Sequence, residues 1–111
     1  MEDRVARLPA DDWRRKAPQF QPPNLQKNIA LRDALRPLAA RRGVSVGALA
    51  VAWTLAWPGV SGAIVGARSP EQVDGWIAAS GLELTAAERD EIAAAIDRTG
   101  AGSGPTRPPG P

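Results

Sequence analysis

A mainly α-helical chain with at most one short strand is what this sequence predicts. Three observations carry the expectation. Four stretches open on Asn24, Ser45, Ser69 and Thr85, residue types whose side chains accept hydrogen bonds from the free N–H groups of a helix's first turn. Only Val60 to Val65 has the short, uncharged, β-branched character of a fully buried strand. One strand makes no sheet, so the ordered part should be four helices around an extended segment. At 111 residues the chain is one domain at most, or a piece of one.

Residues 1–23 read as a loop-like N-terminal segment. Pro9, Pro18, Pro22 and Pro23 interrupt it, two arginine-lysine clusters charge it, and Trp13 and Phe20 are its aromatics. Leu8 to Lys16 has room for a turn or two of helix. The plain reading is a surface loop anchored by those two aromatics.

Residues 24–98 form the helical portion. Asn24 caps a helix from Leu25 to about Arg42, with Leu31, Ala34, Leu35 and Leu38 on one face and Arg32, Asp33 and Arg36 largely off it. Pro37 removes a backbone donor inside this pattern and predicts a kink or a break; Gly43 ends the helix. Ser45 caps the next, Val46 to about Trp57, stopped by Pro58-Gly59. That helix is apolar all round and calls for burial on all sides. Trp53, Leu55 and Trp57, left partly uncovered, would favour self-association. After Val60 to Val65 a helix is expected from Pro70 to about Ser80, ended by Gly81, with Val73, Trp76 and Ile77 inward. Thr85 and Glu88 are spaced as a capping box for a last helix, about Ala86 to Arg98, burying Ile92, Ala93 and Ile96. Residues 99–111 hold four glycines, four prolines and no large apolar residue, the composition of a disordered tail.

One junction invites a ligand. A strand that passes through Gly66-Ala67 into a helix opened by Ser69-Pro70-Glu71-Gln72 aims free N–H groups and the positive end of a helix dipole at one point. Arg68 stands in that turn, and its planar fork suits a phosphate. The structural alternative is that Arg68 pairs with Glu71 or Asp74.

The stretch I-V-G-A-R-S-P-E-Q-V, with A-W-T-L-A-W-P-G-V before it and L-E-L-T-x-x-E-x-x-x-I after it, resembles the C-terminal nucleotide-binding segment of the aldo/keto reductases. The resemblance covers roughly Leu25 to Ile96, with a vaguer match upstream. It implies the C-terminal part of a (β/α)8 TIM barrel, an architecture that needs about 250 residues, and an NADP-dependent reduction of aldehydes and ketones. It also implies that Gly66, Ala67, Arg68, Ser69 and Gln72 bind NADP(H), with Gly66 and Arg68 at the adenosine 2′-phosphate and Gln72 at the adenine side. Where the family has an Asn that bonds the adenine, this sequence has Trp76. The segment before Pro23 would correspond to a loop folding partly over the cofactor.

The family's proton donor is a Tyr, tuned by an Asp, a Lys and usually a His. This sequence contains neither Tyr nor His, so no catalytic residue is assigned and the chain alone is expected to be inactive. Without His and Cys, and without clustered carboxylates, no metal site is expected. The charge is uneven: Met1 to Gly43 carries 10 basic and 5 acidic residues, Val44 to Asp97 carries 2 and 7, read here as solvated faces. Gly43 to Ala67 lacks charge altogether, but Pro58-Gly59 in its middle argues against a membrane span. A-A-R-R-G-V-S-V-G-A-L-A has helix-turn-helix spacing, yet its second helix offers only Thr54 to base edges. No nucleic acid, no membrane and a cytoplasmic location are expected. A small helical interaction module, or a helix-turn-helix DNA-binding domain, is the alternative to a partial reductase.

Overall fold

The computed structural model describes residues 2–110. Its helices are α1 (Glu2–Ala6), α2 (Asn24–Arg42), α3 (Val46–Leu55), α4 (Pro70–Asp74) and α5 (Ala86–Thr99), with 3-10 turns at Trp13–Arg15, Pro18–Phe20 and Ile77–Gly81. No strand occurs among the described residues, so the mainly helical expectation holds.

Local chemistry sets the starts of α3 and α5 and the end of α2. Ser45 Oγ accepts from the Ala48 N–H at 2.9 Å at the start of α3. At α5 the capping box is complete: Thr85 Oγ1 accepts from the Glu88 N–H at 3.1 Å, and Glu88 Oε1 accepts from the Thr85 N–H at 2.9 Å. Gly43 ends α2 at φ 65, a left-handed conformation cheap only for glycine, and the Val44 N–H then reaches the Ala39 carbonyl at 3.0 Å. Asn24 differs from expectation. It is the first residue of α2 and its side-chain amide donates outward to the Pro18 carbonyl at 3.2 Å.

Leu35, Leu38 and Ala39 of α2, Ala48, Leu49 and Ala52 of α3, and Ile92 and Ala95 of α5 make the core, closed by Ala79 and Leu84. Leu38 and Leu49 are the largest side chains fully removed from water. The alanines let the helix axes approach closely, so few large side chains suffice. At the surface Arg41 pairs with Glu91 at 2.6 Å and Arg42 with Glu88, joining α2 to α5. Thr85 first, then Arg42, hold the Glu88 carboxyl below its ordinary range. The accessible surface, 7540 Å², exceeds the roughly 5,900 Å² that surface scaling gives a globular monomer of 11.7 kDa. Trp13, Val60, Ile64 and Ile77 are the large apolar side chains left exposed among the described residues.

Five further expectations need correction. Pro37 does not break α2; both Pro37 and Asp33, whose carbonyl the proline leaves without its helical donor, are exposed, where water can serve that carbonyl. Val60 to Val65 is neither strand nor buried: the stretch has no regular structure and Ile64 is fully exposed, at 105 %, for want of a partner strand. The helix expected from Pro70 to Ser80 stops at Asp74, and a 3-10 turn resumes at Ile77. The Gly75 carbonyl between them accepts from Ser45 Oγ, a bond to α3, and Ile77 faces outward at 53 %. α3 ends two residues early and is buried on one side only, Gly47, Ala50 and Thr54 being exposed. Residues 2–23, read as loop, contain α1. Its Glu2 accepts from Gln26 of α2 at 3.0 Å, an anchor no local pattern reveals.

Beyond Gly100 no regular structure follows, to residue 110. Ala101 is buried, and Arg107 turns back to Asp97 of α5 at 2.9 Å.

Candidate functional site

The turn at Gly66–Ser69 is reached by a bare stretch of chain. From Ser61 to Ala67 no backbone group has a hydrogen-bonding partner among the described residues. The turn itself is fixed by one contact: the Arg68 N–H donates to Gln72 Oε1 at 2.6 Å. Gln72 therefore reaches back one residue further than a capping box would require. Ser69 stands at the N-cap of α4 with an extended backbone, but its hydroxyl makes no capping bond. The sequence-predicted set is thus brought together, Arg68 and Gln72 in direct contact and Ser69 between them with its Oγ unused. The dipole argument weakens, since α4 has only five residues and a macrodipole grows with aligned peptides. The positive charge here comes from the guanidinium.

Arg68 enters no ion pair among the described residues, with Glu71, Asp74 or any other carboxylate. It lines an open cleft of ≈ 450 Å³ whose other walls are Pro9, Asp11, Asp12, Trp13 and Arg14. The second cation in that cleft is engaged: Arg14 Nη2 and Nε donate to the two oxygens of Asp12 at 2.7 and 3.0 Å. Those bonds from Arg14, then the nearby charge of Arg68, hold the Asp12 carboxyl down to about 2. Asp12 is therefore ionised at neutral pH and offsets Arg14, which leaves Arg68 to meet an incoming anion. Trp13 stands over the cleft 65 % exposed, edge to face with Phe20 at 5.8 Å. Sequence reasoning placed none of Asp12, Trp13 and Arg14 at the site. Their signals are the density of charge and aromatic character in A-D-D-W-R-R, far from Arg68 along the chain, and the cofactor-covering loop that the resemblance implies for the segment before Pro23.

Trp76 is half-buried, and its Nε1 is enclosed without a hydrogen-bonding partner. No group of His, Cys, Asp or Glu among the described residues is arranged to hold a metal. No helix there is long and apolar enough to cross a membrane. The exposed face of α3 presents Gly47, Ala50 and Thr54, and the Thr54 hydroxyl already donates to the Ala50 carbonyl at 3.1 Å.

Comparison with known proteins gives a consistent picture. The family model described as Aldo/keto reductase family matches residues 2–97, which extends the likeness through the N-terminal segment. The chain is 34% identical over 90 residues to Aldo-keto reductase YhdN of Bacillus subtilis (strain 168), covering 80% of this chain and 27% of that protein. Over 49 residues it is 39% identical to the NADP(+)-designated Aldo-keto reductase yakc of Schizosaccharomyces pombe, covering 44% of this chain and 14% of that protein. The chain thus spans about a quarter or less of the length of these curated relatives. No solved structure gives a significant match.

Proposed function

The chain belongs to the aldo/keto reductase family, and from that premise we propose that Gly66, Ala67, Arg68, Ser69 and Gln72 hold the adenosine 2′-phosphate end of NADP(H). The observation that carries the reading is a guanidinium without an ion-pair partner that lines an open cleft, next in the chain to a serine whose hydroxyl makes no capping bond. Arg68 brings a delocalised cation with several N–H donors, Ser69 a further donor. Gly66 adds no side chain, and a Cβ placed there would meet nothing within 4 Å, so the backbone leaves the phosphate room. Gln72 serves by holding the Arg68 amide, which fixes the turn. Where the family has an Asn amide stands Trp76, whose single donor, Nε1, is enclosed. The residues fit the phosphate; for the adenine they offer less.

When bound, the nicotinamide of such a cofactor exchanges a hydride with a carbonyl carbon. In this reading Arg68 and Ser69 bind and orient, and neither moves a proton. The chain has no Tyr and no His, so it supplies no acid of the family's kind. We therefore expect no heat-labile NADPH oxidation from the purified chain with any aldehyde or ketone. Turnover above a protein-free control would refute that. The same reading places the protein in the cytoplasm, with the dinucleotide as its partner and neither nucleic acid nor membrane.

The decisive experiment belongs in a full-length reductase carrying this segment. Hydrogen bonds to charged groups contribute about 1.5–3 kcal/mol, so Arg68→Ala should weaken NADPH roughly ten- to a hundred-fold. NADH, which lacks the phosphate, should change little. Titration by fluorescence quenching reads both; equal losses for the two cofactors would make Arg68 structural.

A further inference from the structure

We propose that the stretch around Thr106–Pro108 is a charge-latched strap that covers Trp53 and Trp57 at the end of α3. The two indoles stand edge to face, 5.4 Å apart at 78°. With Arg89 and Asp90 of α5 they line one side of a narrow cleft of ≈ 170 Å³ whose facing wall is Thr106, Arg107 and Pro108.

Three features bring the tail there. Gly100 at φ 72 and Gly102 at φ 74 turn the chain back on itself, with Ala101 buried between them at 6 %. Arg107 Nη1 then donates to Asp97 Oδ2 at 2.9 Å, and its Nε lies 3.7 Å from Asp90 Oδ1. Asp90 and Asp97 stand two turns apart on one face of α5, so one guanidinium spans both. Arg107 first, then Thr106, hold the Asp97 carboxyl below its ordinary range. The third feature is composition. Pro105, Pro108 and Pro109 leave the stretch little conformational freedom to lose, and proline-rich segments dock on aromatic-lined grooves for that reason.

The latch is weak by construction. Both ion pairs are exposed, so each shifts the closed-to-open ratio by only about 1.4- to fivefold and fades as salt screens it. Release uncovers the indoles, and the strap thereby sets when the aromatic end of α3 is available.

The test is nuclear magnetic resonance on the isotope-labelled chain at about 0.01 M salt, where screening acts over roughly 30 Å. Nuclear Overhauser contacts should join the Pro108 ring to the indoles of Trp53 or Trp57, and the Arg107 amide should be as rigid as those of α5. Arg107→Glu, or about 1 M salt, where screening acts within roughly 3 Å, should weaken both severalfold while the Ile92 and Ala93 amide shifts stay in place. Arg107→Lys should retain them. An Arg107 amide as mobile in the wild type as in Arg107→Glu, or Pro108–indole contacts undiminished by the charge reversal, would overturn the proposal.

Discussion

Ser45 and Ser69 each precede a helix with an extended backbone, at φ -74 and φ -151, yet only Ser45 caps one. Its hydroxyl accepts from Ala48 and donates to Gly75, while the Ser69 hydroxyl does neither at α4. The helices they open differ in the same way. α3 buries Ala48, Leu49 and Ala52 between its neighbours, whereas α4 buries none of its residues. A capping side chain settles where packing already holds the first turn still. Where little packs, as from residue 61 to 74, the turn is shaped by a single side-chain bond and its polar groups stay open to a ligand.

The contrast can be broken most forcefully in the core. Leu49→Ala, at a side chain with no exposed surface, should cost about 2–5 kcal/mol in denaturant unfolding. Ile64→Ala should stay within about 0.5 kcal/mol of wild type, because Ile64 contacts water rather than protein. If both lose equally, the 60–65 stretch is packed and the division fails. Next in size are the caps. Thr85→Ala should cost about 0.5–2 kcal/mol, and Ser69→Ala close to nothing, since no capping bond exists to lose. Melting curves of the two variants compare them directly.

The smallest effect sharpens the comparison through pH. Glu88 is held below its ordinary value of 4.5 in the folded chain, chiefly by the Thr85 N–H. A depressed folded value means that the unfolded chain takes up the proton first. The contribution is therefore complete above about pH 4.5 and is lost as pH falls through the folded value. Glu88→Gln should flatten the acid limb of a plot of melting temperature against pH. An unchanged limb would mean that the Glu88 contacts persist in the unfolded chain.

What was legible in the sequence follows the same division. Ser45, Thr85 with Glu88, and Gly43 act within one turn of chain, and each does what its local chemistry dictates. Pro37 leaves α2 unbroken because its cost depends on whether the freed carbonyl meets water. Val60 to Val65 has the composition of a strand, but a strand is made by its neighbour's backbone, which no local pattern supplies. Gly75 ends α4 in company with a hydroxyl thirty residues earlier. At the candidate site the turn residues were visible as a motif. That Asp12 neutralises Arg14 and leaves Arg68 free was not, because it rests on a loop brought from the other end of the chain.

The two ion pairs between α2 and α5 join residues 50 and 46 positions apart. In polymer terms they close a large ring, and ring entropy grows only logarithmically with length, about 0.6 kcal/mol for each doubling. Ser61 to Ala67 forms an arc of that ring with no backbone bond to the rest. Residues added at Gly62, where a Cβ would meet nothing, would lengthen the arc at small entropic cost and leave both ion pairs in register. The arc is a natural place to splice in a new loop, and the helices on either side would hardly register its length.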